Sequence, residues 1–167
     1  MKRMLGGALA LLAAPAILSG VVQAAQTLPA ELGVSLEIVE ACTVGTVVPV
    51  AFGTQGTLAA EVNAEGSVEV TCPAGTEYSV ALDAGAADGA TVATRKMTWD
   101  DKSIDYSLYQ DANHEQVWGD VLGVGGNARG FTGTGDAQIH PIYAKVPIQS
   151  TPAVGTYQDT VTIVVHY

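Results

Sequence analysis

Cations are scarce in this chain. Its 167 residues include 7 Lys and Arg against 17 Asp and Glu, a formal net charge of −10. Nucleic-acid binding sets many cations against phosphates, so this balance argues against such a partner. Cysteine is rarer still. Two residues, Cys42 and Cys72, exclude both a multi-bridge miniprotein and a four-cysteine zinc site. No long apolar run occurs beyond the N-terminus, so no membrane span is expected once that segment is processed. Motifs that carry chemistry are missing as well. No G-x-S-x-G surrounds any serine. Gly123–Gly135 is glycine-rich but lacks the Lys-Ser/Thr ending of a phosphate loop. His114, His140 and His166 lack ligand spacing and read as solvated or edge histidines. Asp100, Asp101 and Asp105 are dense, but Lys102 sits among them and no EF-hand spacing is present. They read as a turn leading into a strand. The chain is therefore expected to be no enzyme and to hold no metal or cofactor. What it does have is apolar content of 48%, too high for a disordered chain.

The N-terminus reads as an export signal, residues 1–24. Lys2 and Arg3 precede an apolar stretch from Leu5 to Leu18, and Val22-Gln23-Ala24 offers small residues where a signal peptidase cuts. A membrane anchor is the alternative, but Pro15, Ser19 and Gly20 interrupt the run. Removing the segment takes two cations and no acid, so the exported chain is more acidic still. Export exposes Cys42 and Cys72 to an oxidising compartment, where two thiols in a small domain usually pair. Closing their 30-residue separation is worth about 3.5 kcal/mol in the chain-entropy treatment. A redox cysteine is the alternative, but no C-x-x-C is present.

The rest of the chain reads as all-β, with room for one domain. Short alternating runs are separated by Gly, Pro, Asn and Asp clusters, and no stretch carries a capped helical repeat. Strands are predicted at Gly33–Val39, Cys42–Pro49, Gly66–Cys72, Glu77–Leu82, Lys96–Trp99, Asp105–Tyr109, Gln138–Val146 and Thr156–Tyr167. Gly119–Gly135 reads as loop. This number of short strands suggests an immunoglobulin-like β-sandwich. Trp99, Trp118, Tyr106 and Tyr109 are candidates for a sugar platform, but aromatics at strand positions are more often core.

Two segments stand out. In the first, Leu28, Ala30, Leu32, Val34, Leu36 and Ile38 fall on even positions, while Thr27, Pro29, Glu31, Gly33, Ser35 and Glu37 fall on odd ones. A strict period of two gives an extended segment one apolar and one polar face. Burying Leu32, Val34, Leu36 and Ile38 is worth at most about 6–12 kcal/mol. That is comparable to the stability of a whole domain, so this face calls for burial. The second segment is the C-terminus, where Val161, Ile163, Val165 and Tyr167 alternate with Thr162, Val164 and His166. A β-branched edge of this kind needs covering.

Taken together, the motifs resemble those of the spore coat U domain family, which includes the pilin subunits of archaic (Csu-type) chaperone–usher pili. They begin with Cys42-Thr43-Val44, Phe52-Gly53 and Val68-Glu69-Val70-Thr71-Cys72. Tyr78-Ser79-Val80-Ala81-Leu82-Asp83-Ala84-Gly85, Arg95-Lys96-Met97 and Tyr106-Ser107-Leu108-Tyr109-Gln110-Asp111 follow. Trp118-Gly119-Asp120, Pro152 and Gly155-Thr156-Tyr157-Gln158-Asp159-Thr160-Val161 complete the set. Tyr143-Ala144-Lys145 departs from the Tyr-Gly-Arg-like run usual there.

The resemblance implies an incomplete sandwich, residues 42–167, whose missing strand is first lent by a periplasmic chaperone. At an outer-membrane usher the N-terminal extension of the next subunit then replaces it. Residues 25–41, with Leu28, Leu32, Val34, Leu36 and Ile38, have the position and alternation of that donor. Val161, Ile163, Val165 and Tyr167 are the expected chaperone-facing edge of the groove. Repeated head to tail, this strand addition gives a filament of identical or related subunits. The implied protein is exported through the periplasm and ends in a surface pilus serving adhesion and biofilm formation. Two alternatives remain for the N-terminal segment: the first strand of a self-contained sandwich, or a strand folded back into its own groove in a monomeric form. For the protein, the alternative is a secreted coat or matrix protein of the same fold that does not polymerise through a chaperone.

Overall fold

The structure is a computed structural model describing residues 31–37, Val39 and 41–167. The predicted signal segment, Leu28 and Ile38 lie outside these residues. The chain divides into two units, Met1–Glu37 and Ile38–Tyr167. In the first, residues 31–37 form no strand, and Leu32, Val34 and Leu36 are 87–88% exposed. The predicted strand over Gly33–Val39 is thus not formed in its described residues. Alternation defines two faces, but a strand also needs a neighbour for its N–H and C=O groups.

The second unit holds eight strands and, among the described residues, no helix. They are β1 (Thr43–Val48), β2 (Val62–Thr71), β3 (Glu77–Leu82), β4 (Arg95–Trp99), β5 (Lys102–Tyr109), β6 (Arg129–Thr132), β7 (Ala137–Val146) and β8 (Ile163–His166). They form a five-stranded sheet ordered β1-β2-β7-β5-β4 and a three-stranded sheet ordered β6-β3-β8, all antiparallel. The pairing of β2 with β7 is unbroken from Val62↔Val146 to Thr71↔Ala137 and is the spine of the larger sheet. Period-two alternation sends Val68 and Val70 of β2, and Ile142, Ala144 and Val146 of β7, inward. Tyr78, Val80 and Leu82 of β3 meet them from the other sheet in one core.

Three readings of the sequence need correction. Residues 119–135 are not all loop: β6 lies within them, paired with β3 from Glu77↔Thr132 to Val80↔Arg129. The four residues of β6 include a glycine, too short and too interrupted to show a period. The C-terminal strand is Ile163–His166 rather than Thr156–Tyr167, because Gln158 bridges to Thr98 in the larger sheet. The chain then crosses over to pair with β3. His140 is neither solvated nor at an edge. It is buried, with Nε2 2.7 Å from the Tyr78 hydroxyl and its ring 3.8 Å from that of Phe131. Asp100 and Asp101 do form a turn, with φ of 54° at Asp100, where β4 folds back onto β5.

The disulfide is present. Cys42 and Cys72 are joined with Cα atoms 4.3 Å apart, tying the start of β1 to the end of β2. Cys42→Ser is expected to lower the urea-unfolding free energy by about 2–4 kcal/mol, checked by equilibrium denaturation of the oxidised chain and the variant.

Burial holds the His140 imidazole below its usual pKa, with the neighbouring Arg129 charge adding to the effect. Tyr78, its hydrogen-bond partner, is pushed up by burial. As pH falls below about 6.5, the unfolded chain takes up a proton on His140 that the folded chain resists, so stability declines until the folded pKa is passed. The urea midpoint of the wild type should therefore fall between pH 7 and pH 5. His140→Gln should flatten the curve over that window, and parallel curves would contradict the assignment.

Candidate functional site

The two outermost strands that flank the core leave an open seam. Among the described residues, β1 is paired only with β2, and β8 only with β3. All six residues of β1 are exposed, and its register with β2 slips between Val44 and Val47. Between these edges lies a cleft of about 480 Å³. Val47, Val48, Val50 and Phe52 line one side, and Val161 and Ile163 the other. Its floor is Leu82, Met97, Tyr106, Leu108 and Ile142. A second hollow of about 560 Å³ adjoins it, sharing Val50, Phe52, Met97 and Tyr157 and extending to Leu58, Ile104 and Val146. Beside it, Gln149 N–H donates to the Leu58 carbonyl at 3.2 Å and Leu58 N–H to Thr151 Oγ1 at 2.9 Å.

The lining is mostly apolar, with Gln158, Asp159 and Thr160 as polar residues on one wall, and several wall side chains are only partly buried. Val50, Phe52, Met97, Ile104, Val161 and Ile163 pack against the core yet stay half-covered. Apolar surface left in this state is costly in water. Unpaired N–H and C=O groups along each edge add the hydrogen-bonding capacity of a missing strand. Chemically, the site suits an extended segment with alternating apolar side chains. Among the described residues, no group of three or more His, Cys, Asp or Glu is placed to hold a metal ion.

The sequence-predicted residues distribute unevenly around this site. Val161 and Ile163 lie on the cleft wall. Val165 points into the core opposite Val80, on the same face of β8 as Ile163. Tyr167 is exposed and borders a separate surface depression beside Tyr78 and Phe131. Of the aromatic residues, Trp118 and Tyr106 are buried. Trp99 is partly exposed, its ring 6.1 Å from Tyr157. Sequence reasoning did not single out Phe52, Met97, Tyr106 and Tyr157 as lining. Each sits in a recognisable motif, but only the fold brings them around one cleft.

Arg95 was also missed, and it is fully buried. Its Nε donates to the Asp83 carbonyl at 2.8 Å, and one terminal nitrogen donates to Val92 at 2.8 Å. The other donates to the carbonyls of Leu82 and Trp118, both at 2.9 Å. Trp118 in turn donates its indole N–H to the Val80 carbonyl at 2.8 Å. The guanidinium fork thus takes up carbonyls that burial would leave without partners. Burial pulls its pKa down, and the negative charges of Asp83, Asp120 and Asp159 oppose that.

The profile of the Spore Coat Protein U domain family matches residues 28–164. The chain belongs to this family. Comparison with curated protein sequences gives no match. Among solved structures, this spore coat U chain is similar to a chain of the CsuC–CsuE chaperone–tip adhesion subunit pre-assembly complex from the archaic chaperone–usher Csu pili of Acinetobacter baumannii. The TM-score is 0.51 at 19% identity, over 78% of this chain. It covers 40% of that structure's chain, and at this identity the likeness is one of fold.

For this spore coat U domain, Arg95→Lys should cost about 2–5 kcal/mol, because a single ammonium cannot reach four carbonyls placed around a planar fork. Urea denaturation of the variant measures it, and a loss under 1 kcal/mol would show that the fork is dispensable.

Proposed function

We propose that the protein is a structural subunit of an archaic chaperone–usher pilus that polymerises by donor-strand exchange. The observation that carries this reading is the apolar cleft between the edges of β1 and β8, which no described strand pairs. In the same chain, Leu32, Val34 and Leu36 alternate along a segment with its apolar side chains exposed. Cleft and segment are chemically complementary: one offers apolar pockets flanked by free backbone groups, the other an apolar face with a period of two.

In this reading, residues 1–24 are the export signal, 25–41 the donor extension and 42–167 the acceptor domain. A periplasmic chaperone occupies the cleft first, against the edge formed by Val161, Ile163, Val165 and Tyr167. At the outer-membrane usher the extension of the next subunit takes its place, through Leu28, Leu32, Val34, Leu36 and Ile38. The contact is head to tail and does not close on itself, so repetition gives a fibre on the cell surface, suited to adhesion and biofilm formation. Support comes from the membership in the family and from the likeness to a chaperone–subunit complex. The disulfide braces β1, the edge a donor would pair with. No step calls for catalysis, since affinity comes from main-chain hydrogen bonds and apolar burial.

Deleting residues 25–41 should leave a chain that still co-purifies with its chaperone but does not enter fibres, as judged by electron microscopy. Within the extension, Leu36→Asp should reduce subunit joining at least tenfold, whereas Glu37→Lys on the polar face should change it less than about threefold. Fibres of normal length from the deleted chain would refute donor-strand exchange. They would favour a coat or matrix protein that does not polymerise through a chaperone.

A further inference from the structure

An apolar cleft in water tends to close on itself, because nearby chain can cover the exposed surface. The wall of this cleft from Tyr157 to Ile163 is poorly secured by strand pairing. Gln158 and Thr98 exchange two backbone hydrogen bonds, of 2.8 and 3.1 Å, in the five-stranded sheet. Ile163 is already paired with Leu82 in the three-stranded sheet. Residues 159–162 cross between the sheets with no ladder of their own.

Two carboxylates secure that crossing. Asp159 Oδ1 accepts the N–H groups of Ala86 at 2.9 Å and Thr160 at 2.8 Å, and its Oδ2 accepts the Tyr106 hydroxyl at 2.7 Å. Tyr106 lies on the cleft floor, so this bond ties wall to floor. Asp83 Oδ1 accepts N–H groups from Gly85 and Thr162, both at 2.9 Å, while Asp83 N–H donates to the Thr162 carbonyl at 3.1 Å. Gly85 has φ of 86°, and a side chain there would strike the Asp159 carboxylate. Arg95 grips the carbonyls of Leu82 and Asp83 just behind. The crossing is therefore held from the floor and from the turn after β3.

We infer that Asp159, with Tyr106 and Asp83, is a positioning residue for strand capture: it keeps the cleft wall standing apart from β1 so that an incoming strand meets a preformed site. This rests on the strand-exchange reading. When a strand is bound, it pairs with the edge and holds the wall itself, so the carboxylates matter for entry rather than retention. Loss of the Asp159 anchor lets the wall fold inward. If about a tenth of molecules then stay competent, association slows about tenfold while dissociation is unchanged.

The test uses the exported chain, residues 25–167, with Leu32→Asp and Leu36→Asp disarming its own extension. A fluorescent synthetic peptide of residues 25–41 is the probe, followed by stopped-flow anisotropy. Asp159→Ala should slow association about tenfold and leave dissociation unaltered, and Tyr106→Phe should slow it about threefold. Asp159→Asn, which keeps the shape and an accepting oxygen, should stay near the parent rate. Faster dissociation of Asp159→Ala in step with its slower association would mean a general structural role and overturn the inference. If Asp159→Ala does not fold, Tyr106→Phe decides, and a parent-like rate there overturns it. If the parent chain itself binds no peptide, the strand-exchange reading fails, and this inference with it.

Discussion

An unfinished pairing governs this molecule. Among the described residues β1 and β8 each have one strand neighbour, and between them the apolar interior reaches the surface. Sheet edges are ordinarily blunted or covered, and here the opening between two of them reaches the core. Here the core has ten half-covered apolar residues around fully buried ones, with Phe52, Met97 and Ile163 among those facing the seam. An occupant of the seam would finish both the sheet edge and the core, so on the proposed reading stability and binding are coupled.

The rest of the domain compensates for that opening. The disulfide fixes the beginning of β1, an edge that lacks buried side chains. Arg95 collects carbonyls from the end of β3, the segment after it and Trp118, and so stiffens the side opposite β1. Asp83 and Asp159 bind the sheet-crossing wall to that stiffened region. No buried side-chain nitrogen or oxygen among the described residues lacks a hydrogen-bond partner. The polar groups inside the domain are thus an ordered frame around an apolar opening, rather than a cost left unpaid.

The surface chemistry follows the same division. Lys96 pairs with Asp105 at 2.7 Å, Lys102 with Asp101 at 2.6 Å, and Lys145 with Glu61 at 3.6 Å. Arg129 lies over the rings of Trp118 and Phe131 and donates to the Gln110 carbonyl. Exposed pairs of this kind add little stability, but they leave the acidic excess as the dominant outward field. Such a field keeps separate chains apart in solution, which suits a domain with an open apolar seam.

Much of the architecture was written locally. The short, broadly alternating runs Glu77–Leu82 and Gln138–Val146 marked those strands, because side-chain faces depend on adjacent residues. The pairing of Cys42 with Cys72 followed from cysteine number and an exported context, and the alternation of Leu32, Val34 and Leu36 from simple spacing. Tertiary structure alone decided the rest. That Gln158 pairs with Thr98 and shortens β8, that β6 forms beside β3, that His140 is buried against Tyr78 and that Arg95 meets four carbonyls all depend on residues distant in sequence. A period reveals which face is apolar, but which backbone edge stays unpaired is set by the partners that arrive from elsewhere in the chain.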